Sequence, residues 1–431
     1  MKQHSQATKD KIKASLQATR DRHKAMNCRT YELKIVENKL SQSKKETLER
    51  FFLEAKWMKN HIIAGDITHA TPLMKTAKVK LPDGSYDERE LKTLGSHMRQ
   101  SILSGIKSDL KSLKETKNKG RKVGSLKFCK EVKSLDLKEY GNTYKLDRTT
   151  QKAKIQKLGW VRVRGFNNIP ENVEFANAKL LKKPDGYYIK ITTYQDKKTT
   201  PEREYVAGSV IGIDFGLSTS ITTSEGDKLE LYVEEPDRLK RLKKKRSRQV
   251  KGSNNYKKTC NLIKKEYQYL DNKKQDLAYK IVSDLSHYEH VFFQDEMISN
   301  WKKRDGYIRG GKKIQKGILG RVKALLRTKE WATMLSRGDA TTQTCVCGAK
   351  NKHQLDERIY FCSQCGYSDD RDTHAAKNMI RFGLSDNRYN TPQGLGITPA
   401  EEVTSILHFN YLKGSTSYNP LKQETNSSSV S

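Results

Sequence analysis

The chain has 431 residues, enough for several domains and a sizeable core, and carries 84 Lys and Arg against 50 Asp and Glu, a formal charge of +34. A cationic excess spread over the whole length points to a polyanion, most simply nucleic acid, because each neutralised phosphate releases condensed counterion; a ribosomal or anionic-membrane partner is compatible with charge alone. No stretch approaches the roughly 18 apolar residues of a membrane span and no apolar signal core opens the chain. The seven cysteines, with Cys28, Cys129 and Cys260 isolated, fit a reducing cytosol with one metal site better than a disulfide framework.

Residues 1–28 are polar and Lys/Gln/Ser-rich, and read as a mobile extension or an isolated helix. Tyr31, Leu33 and Ile35 then alternate as in a strand. Leu48, Phe51, Phe52, Ala55 and Met58 recur at helical spacing and predict a helix over 45–62. After the turn Leu81-Pro82-Asp83-Gly84, residues 91–113 predict one or two basic helices, and 117–123 form a basic linker. Residues 126–194 read as strand-rich: Trp160 to Arg164 alternates strictly, and Pro184-Asp185-Gly186 turns into a strand over 187–193. A helical insert thus interrupts a β-rich module. Trp57 and Trp160 could stack on bases, with core packing the better reading for both.

From about Tyr205 the periodicity changes. Ser209 to Gly216 is an apolar run ending in Asp214-Phe215-Gly216, and strands over 218–223 and 228–232 flank the turn Glu225-Gly226-Asp227. A long helix follows over 255–285, with Leu270, Leu277, Ala278, Ile281 and Leu285 on one face. Next comes a buried strand over 290–293 that ends at Gln294-Asp295-Glu296. Three hairpinned strands, a helix and a further strand is the order of an RNase H-like fold. The basic run from Arg238 to Lys251 reads as the wall of a nucleic-acid channel. Residues 301–316 read as a mobile lid or a plain loop, and 331–340 shows no clear apolar strand.

Two constellations carry chemistry. Asp214 and Glu296 each follow an apolar β run, and Asp372 opens a helix whose apolar residues are Ala375, Ala376, Met379 and Ile380. Three such carboxylates, if they converge, can hold a pair of divalent ions about 3.5–4 Å apart, and hard oxygen ligands suit Mg²⁺. Strand alternation lets only one of Asp295 and Glu296 face the ions, and the same question attaches to Asp370 and Asp372. Cys345, Cys347, Cys362 and Cys365 have the pattern of a structural Zn²⁺ site, although the first pair is one residue shorter than a standard knuckle. Such a site takes both thiolates with some strain or recruits another ligand such as His353.

Gly212-Ile213-Asp214-Phe215-Gly216, Gln294-Asp295-Glu296, Thr342-Gln343-Thr344-Cys345 and Asp370-Arg371-Asp372 with His374-Ala375-Ala376-Lys377-Asn378 resemble TnpB, the transposon-encoded nuclease family related to miniature type V CRISPR effectors. The resemblance spans about residues 29–383. It implies an RNA-guided DNA endonuclease of α/β multidomain architecture. An RNase H-like (RuvC) nuclease domain would carry a zinc-ribbon insert, beside an N-terminal β-barrel wedge interrupted by a helical recognition domain. Mapped by motif, the RuvC acids are Asp214, Glu296 and Asp372, serving two Mg²⁺, with one structural Zn²⁺ on the four cysteines. The expected division is a polar extension (1–28), wedge (29–44 and 124–204), helical insert (45–123), nuclease (205–340 and 369–386), target-nucleic-acid-binding ribbon (341–368) and a polar, disordered tail (387–431).

The implied partners are a guide RNA and double-stranded DNA cut beside a short protein-read motif, in a prokaryotic cytoplasm at the nucleoid; monomer or homodimer stays open. The competing readings are a guide-bound DNA-binding repressor without cleavage and a guide-independent transposase or resolvase.

Overall fold

The computed structural model describes residues 6–65, 70–81, 83–217, 219–302, 311–354 and 357–385; the expected tail lies outside them. The chain divides into two compact units, 1–201 and 202–431.

The first unit opens with helix α1 (Gln6–Lys24), so of the two readings of the extension the helix is the one observed. Strand β1 (Met26–Ile35) follows and begins earlier than its apolar alternation suggests. Its polar start is held by long-range pairing, from Met26 opposite Asp196 to Lys34 opposite Tyr188 on the later strand spanning Gly186–Asp196. Next come α2 (Gln42–Ala64), the hairpin β2 (Thr76–Lys80) and β3 (Tyr86–Glu90), and a single helix α3 (Ser96–Asn118) where one or two were expected. Ser41 caps α2, accepting from the Lys44 N–H at 3.4 Å. Glu54 on α2 is fully buried, and accepts from Arg50 Nε and from the backbone N–H groups of Thr93 and Leu94 at the approach to α3.

Six more strands complete this unit: β4 (Ser134–Leu137), β5 (Tyr144–Asp147), β6 (Lys152–Ile155), β7 (Gly159–Arg164), β8 (Glu174–Lys183) and β9 (Gly186–Asp196). They pair antiparallel with β1 in the order β4-β8-β9-β1-β7-β6-β5, with β4 and β5 as edges, so the expected barrel is an open half-barrel. Leu33, Ile35, Val161, Val163, Leu180, Ile189 and Ile191 from the sheet meet Leu48, Phe51, Ala55 and Met58 from α2 in one core. Trp57 packs against that core under the Arg89 guanidinium, 4.9 Å from its ring. Trp160 departs from the core reading: it sits on the solvent side of β7 with 41 % of its surface open.

The second unit is built on a five-stranded sheet. Its strands are β10 (Val206–Phe215), β11 (Ile221–Thr223), β12 (Lys228–Leu229), β13 (Tyr288–Gln294) and β14 (Ala332–Leu335), ordered β12-β11-β10-β13-β14. The first three form an antiparallel meander, while β13 and β14 run parallel to β10. Strand β14 corrects the expectation that 331–340 lacks a strand. Four residues without period-2 alternation gain their pairing from the largely buried β13.

Between β12 and β13 lie the basic helix α4 (Asp237–Ser247) and the long α5 (Asn254–Leu285); α6 (Gly311–Lys316) and α7 (Leu319–Leu326) precede β14. Ala278, Ile281, Val282 and Leu285 of α5 close over Ile211, Ile213 and Phe293 of the sheet. Residues 303–310 of the expected lid lie outside the described residues, but Trp301 at its start packs against this core. A small hairpin, β15 (Ile359–Phe361) and β16 (Ser368–Asp370), leads directly into α8 (Arg371–Ser385).

Helix α8 lies against β10 at very close range. A Cβ placed on Gly212 would stand 1.9 Å from the Ala376 carbonyl oxygen, and one on Gly383 would stand 2.2 Å from the Phe292 ring. Only glycine fits at either contact.

Candidate active site and metal centre

Asp214 is the next-to-last residue of the central strand β10, between the buried Ile213 and Phe215. Its carboxyl is pushed well above the ordinary carboxylate range, first by loss of hydration and then by the negative charges of Asp372 and Glu296; Arg371 acts in the opposite direction. Glu296, two residues beyond the end of β13, is also raised by burial, against the pull of Lys323 and Arg337. Asp372 lies in the first turn of α8, where a carboxylate suits the positive helix end. Arg371 Nη2 stands 3.4 Å and Arg358 Nη1 3.9 Å from its carboxylate oxygens. Asp372 and Glu296 are thus both near enough for their charges to act on Asp214.

The neighbouring acids are engaged elsewhere. Asp295 accepts from Lys323 Nζ at 2.5 Å and from Arg337 Nη2 at 2.8 Å, and the Lys323 bond holds its carboxyl below the usual range. Asp370 caps α8: its Oδ1 accepts from the N–H groups of Asp372 and Thr373, and its Oδ2 from Lys228 Nζ at 2.6 Å. Of the two pairs Asp295/Glu296 and Asp370/Asp372, it is Glu296 and Asp372 whose charge acts on Asp214. Lys228, Lys323 and Arg337, which make this sorting, carry no local sequence signal. Their partners are distant along the chain.

A buried carboxyl at Asp214, raised further by the charges of Asp372 and Glu296, suits hard divalent cations, which would relieve the repulsion. Among the described residues the three carboxylates form no set as tight as the cysteines, whose four Sγ atoms all lie within 4.8 Å of one another. Sγ of Cys345 is 3.5 Å from that of Cys365, and Sγ of Cys347 is 3.7 Å from that of Cys362.

The short first knuckle closes as the second does. Cys345 N–H donates to Ala349 O and Gly348 N–H to Cys345 O; Cys362 N–H donates to Tyr367 O and Gly366 N–H to Cys362 O. Gly348 and Gly366 both take the left-handed backbone these turns require, at φ +90° and +74°. The missing residue is thus absorbed inside the turn. The Cys362 thiol is held below its ordinary value, chiefly by the backbone N–H of Cys365, which favours the thiolate a metal needs. Four thiolates at this spacing fit Zn²⁺. His353 is not part of the set: its Nδ1 pairs with Glu357 Oε2 at 2.9 Å.

On the basic run, α4 packs on α5 through Leu239 and leaves most of its Lys and Arg side chains outward. Tyr267 and Tyr269 on α5 are exposed under the ammonium groups of Lys243 and Lys273. No helix of the described residues is long and apolar enough to cross a membrane.

Comparison with known proteins agrees with the motif-level resemblance. Residues 192–291, which contain Asp214, match the family model described as "Probable transposase", and residues 324–379, which contain the cysteines and Asp372, match "Cas12f1-like, TNB domain". An Escherichia coli protein provisionally named RNA-guided DNA endonuclease InsQ is 25% identical over 309 residues, 66% of this chain and 76% of that protein. A Streptomyces pristinaespiralis protein, provisionally named RNA-guided DNA endonuclease, is 26% identical over 251 residues, 56% of this chain and 60% of that protein. The protein chain of a Cas12f1-sgRNA-target DNA complex aligns over 82% of this chain and 99% of its own length at 11% identity and TM-score 0.44.

Proposed function

We propose that this chain, a relative of the TnpB transposon nucleases and the miniature type V effectors, is an RNA-guided DNA endonuclease. It cleaves double-stranded DNA beside a short protein-read motif through one RuvC-type site formed by Asp214, Glu296 and Asp372. The convergence of the three acids at the ends of β10 and β13 and the start of α8 carries the reading. The RNase H-like interpretation of the second unit is supported by the sheet order, a three-stranded meander extended by two strands parallel to its first. Names of the relatives support a guide RNA and target DNA as partners, and the cationic excess fits a chain that lies along phosphates.

In this reading the first unit supplies the wedge and helical recognition modules, and the hairpin with its four cysteines is the target-nucleic-acid-binding element. Asp214, Glu296 and Asp372 would together hold two Mg²⁺. Bound there, the ions would activate a water and neutralise the departing oxygen. The chain's own part is to keep those three carboxylates unpaired by side-chain ammonium groups. Lys323 pairs with Asp295 and Lys228 with Asp370, so neither ammonium bonds the carboxylates of the three acids, although the charge of Lys323 still pulls on Glu296. Arg371 moderates the remaining repulsion.

Asp214→Ala is expected to lower Mg²⁺-dependent cleavage about a thousandfold or more while leaving co-purifying RNA unchanged. Sequencing that RNA identifies the guide. Cleavage at the wild-type rate by the variant would remove the site assignment, and absence of any bound RNA would favour a guide-independent transposase.

A further inference from the structure

Segment 336–345, which leads into the first cysteine knuckle, touches the elements of both outer acids. Toward Glu296, Gln294 Nε2 donates to the carbonyls of Ser336 (2.9 Å) and Asp339 (2.8 Å), and Gln294 Oε1 accepts from Thr341 Oγ1 (3.1 Å). Arg337 adds a bond to the Asp295 carbonyl at 3.0 Å. Toward Asp372, three side chains of α8 reach the same segment. Asn378 Nδ2 donates to the carbonyls of Thr341 (2.7 Å) and Thr344 (2.6 Å), His374 Nε2 bonds the Thr344 carbonyl (3.0 Å), and Arg381 Nη1 donates to the Cys345 carbonyl (2.6 Å).

These positions fall four and three residues apart, so His374, Asn378 and Arg381 share one line of the helix, beside the face that packs on β10. Gln294, Thr341, Thr344, His374 and Asn378 are each at most 8 % exposed, so water does not compete for these bonds. The His374 ring also stacks on Tyr360, at 3.7 Å and 16°, and Tyr360 is buried with Cys345 and Cys362.

We propose that segment 336–345, held at its far end by the metal on the four cysteines, sets the separation between Glu296 and Asp372, with Gln294, His374, Asn378 and Arg381 as positioning residues. The zinc ribbon is then part of the cleavage geometry as well as a surface for nucleic acid. Thr341 makes the point most directly: its hydroxyl serves the Glu296 side while its carbonyl serves the Asp372 side. The inference rests on the carboxylate site being a divalent-ion site, and its test separates the two.

The test is Mn²⁺ binding to the full-length protein, followed by the electron paramagnetic resonance signal of free Mn²⁺, together with zinc content and RNA binding. Sites lost in Asp214→Asn define the carboxylate centre. If that variant binds as much Mn²⁺ as wild type, the carboxylate reading fails and the inference falls with it. If the centre exists, Asn378→Ala and Arg381→Met are expected to keep RNA binding and wild-type zinc content while weakening Mn²⁺ binding about tenfold, with partial recovery in Arg381→Lys. Stripping zinc is expected to weaken it at least as much. Unchanged Mn²⁺ affinity in these variants, with zinc retained or lost, overturns the coupling. Should they fail to fold, Thr341→Val removes only the hydroxyl bond to Gln294 at nearly constant volume. A fewfold loss of Mn²⁺ affinity supports the proposal, and no loss overturns it.

Discussion

At the scale of single residues, the second unit sorts like charges by giving some acids a lysine and leaving others without one. Asp295 and Glu296 are adjacent, yet one is held down by Lys323 and the other is raised by burial. Glu296→Gln is therefore expected to lower cleavage by about a hundredfold or more, while Asp295→Asn lowers it far less. Equal losses in single-turnover cleavage assays would contradict the sorting. The sequence left this pair open because alternation stops at Gln294, and Lys323 and Arg337 arrive from α7 and the segment after β14. His290, buried on β13, has its pKa lowered from 6.5 to about 4 by burial, with Arg203 adding and Glu289 opposing. The folded state thus prefers neutral His290. Its contribution is complete above about pH 6.5 and is lost as pH falls toward 4, because the unfolded chain takes up the proton first. At most ~3 kcal/mol is involved. Urea midpoints between pH 7 and 4.5 should fall less steeply in His290→Gln than in wild type.

At the scale of elements, close approach sets the position of α8. Gly212→Ala would drive a methyl group into the Ala376 carbonyl, so α8 must shift or β10 must bend. We expect a loss of about 1–3 kcal/mol in the thermal or urea unfolding of the second unit. Cleavage should fall more than stability accounts for, since Asp372 rides on that helix; activity that tracks stability alone would refute this. Much of the element pattern was legible in the sequence. Leu270, Leu277, Ala278, Ile281 and Leu285 mark α5, and the apolar run of β10 ends where Asp214 must emerge. What stayed hidden depends on partners. Met26 to Cys28 read as the end of the polar extension until β9 pairs with them, and Ala332 to Leu335 show no period of their own. The short Cys345-x-Cys347 pair suggested strain that a tight glycine turn removes. Asn378 and Arg381 stood in or beside a recognised motif, but nothing local says that their side chains end on the carbonyls of a distant knuckle.

At the scale of the whole molecule, the two units carry separate cores and one sign of charge. An excess of 34 positive charges makes any RNA or DNA complex salt-sensitive. Raising salt from 50 to 200 mM is expected to weaken RNA binding at least about tenfold, and a flat salt dependence in a filter-binding titration would argue against a phosphate-tracking surface. The placement of α8 has a further consequence, one of timing. It is the last described helix to be synthesised, yet it brings the third acid and completes the carboxylate cluster. Every earlier element, including both other acids, can leave the ribosome and begin to fold without it. A growing chain therefore passes nearly its whole synthesis without the full ion-binding set, which closes only when the ribbon and α8 arrive.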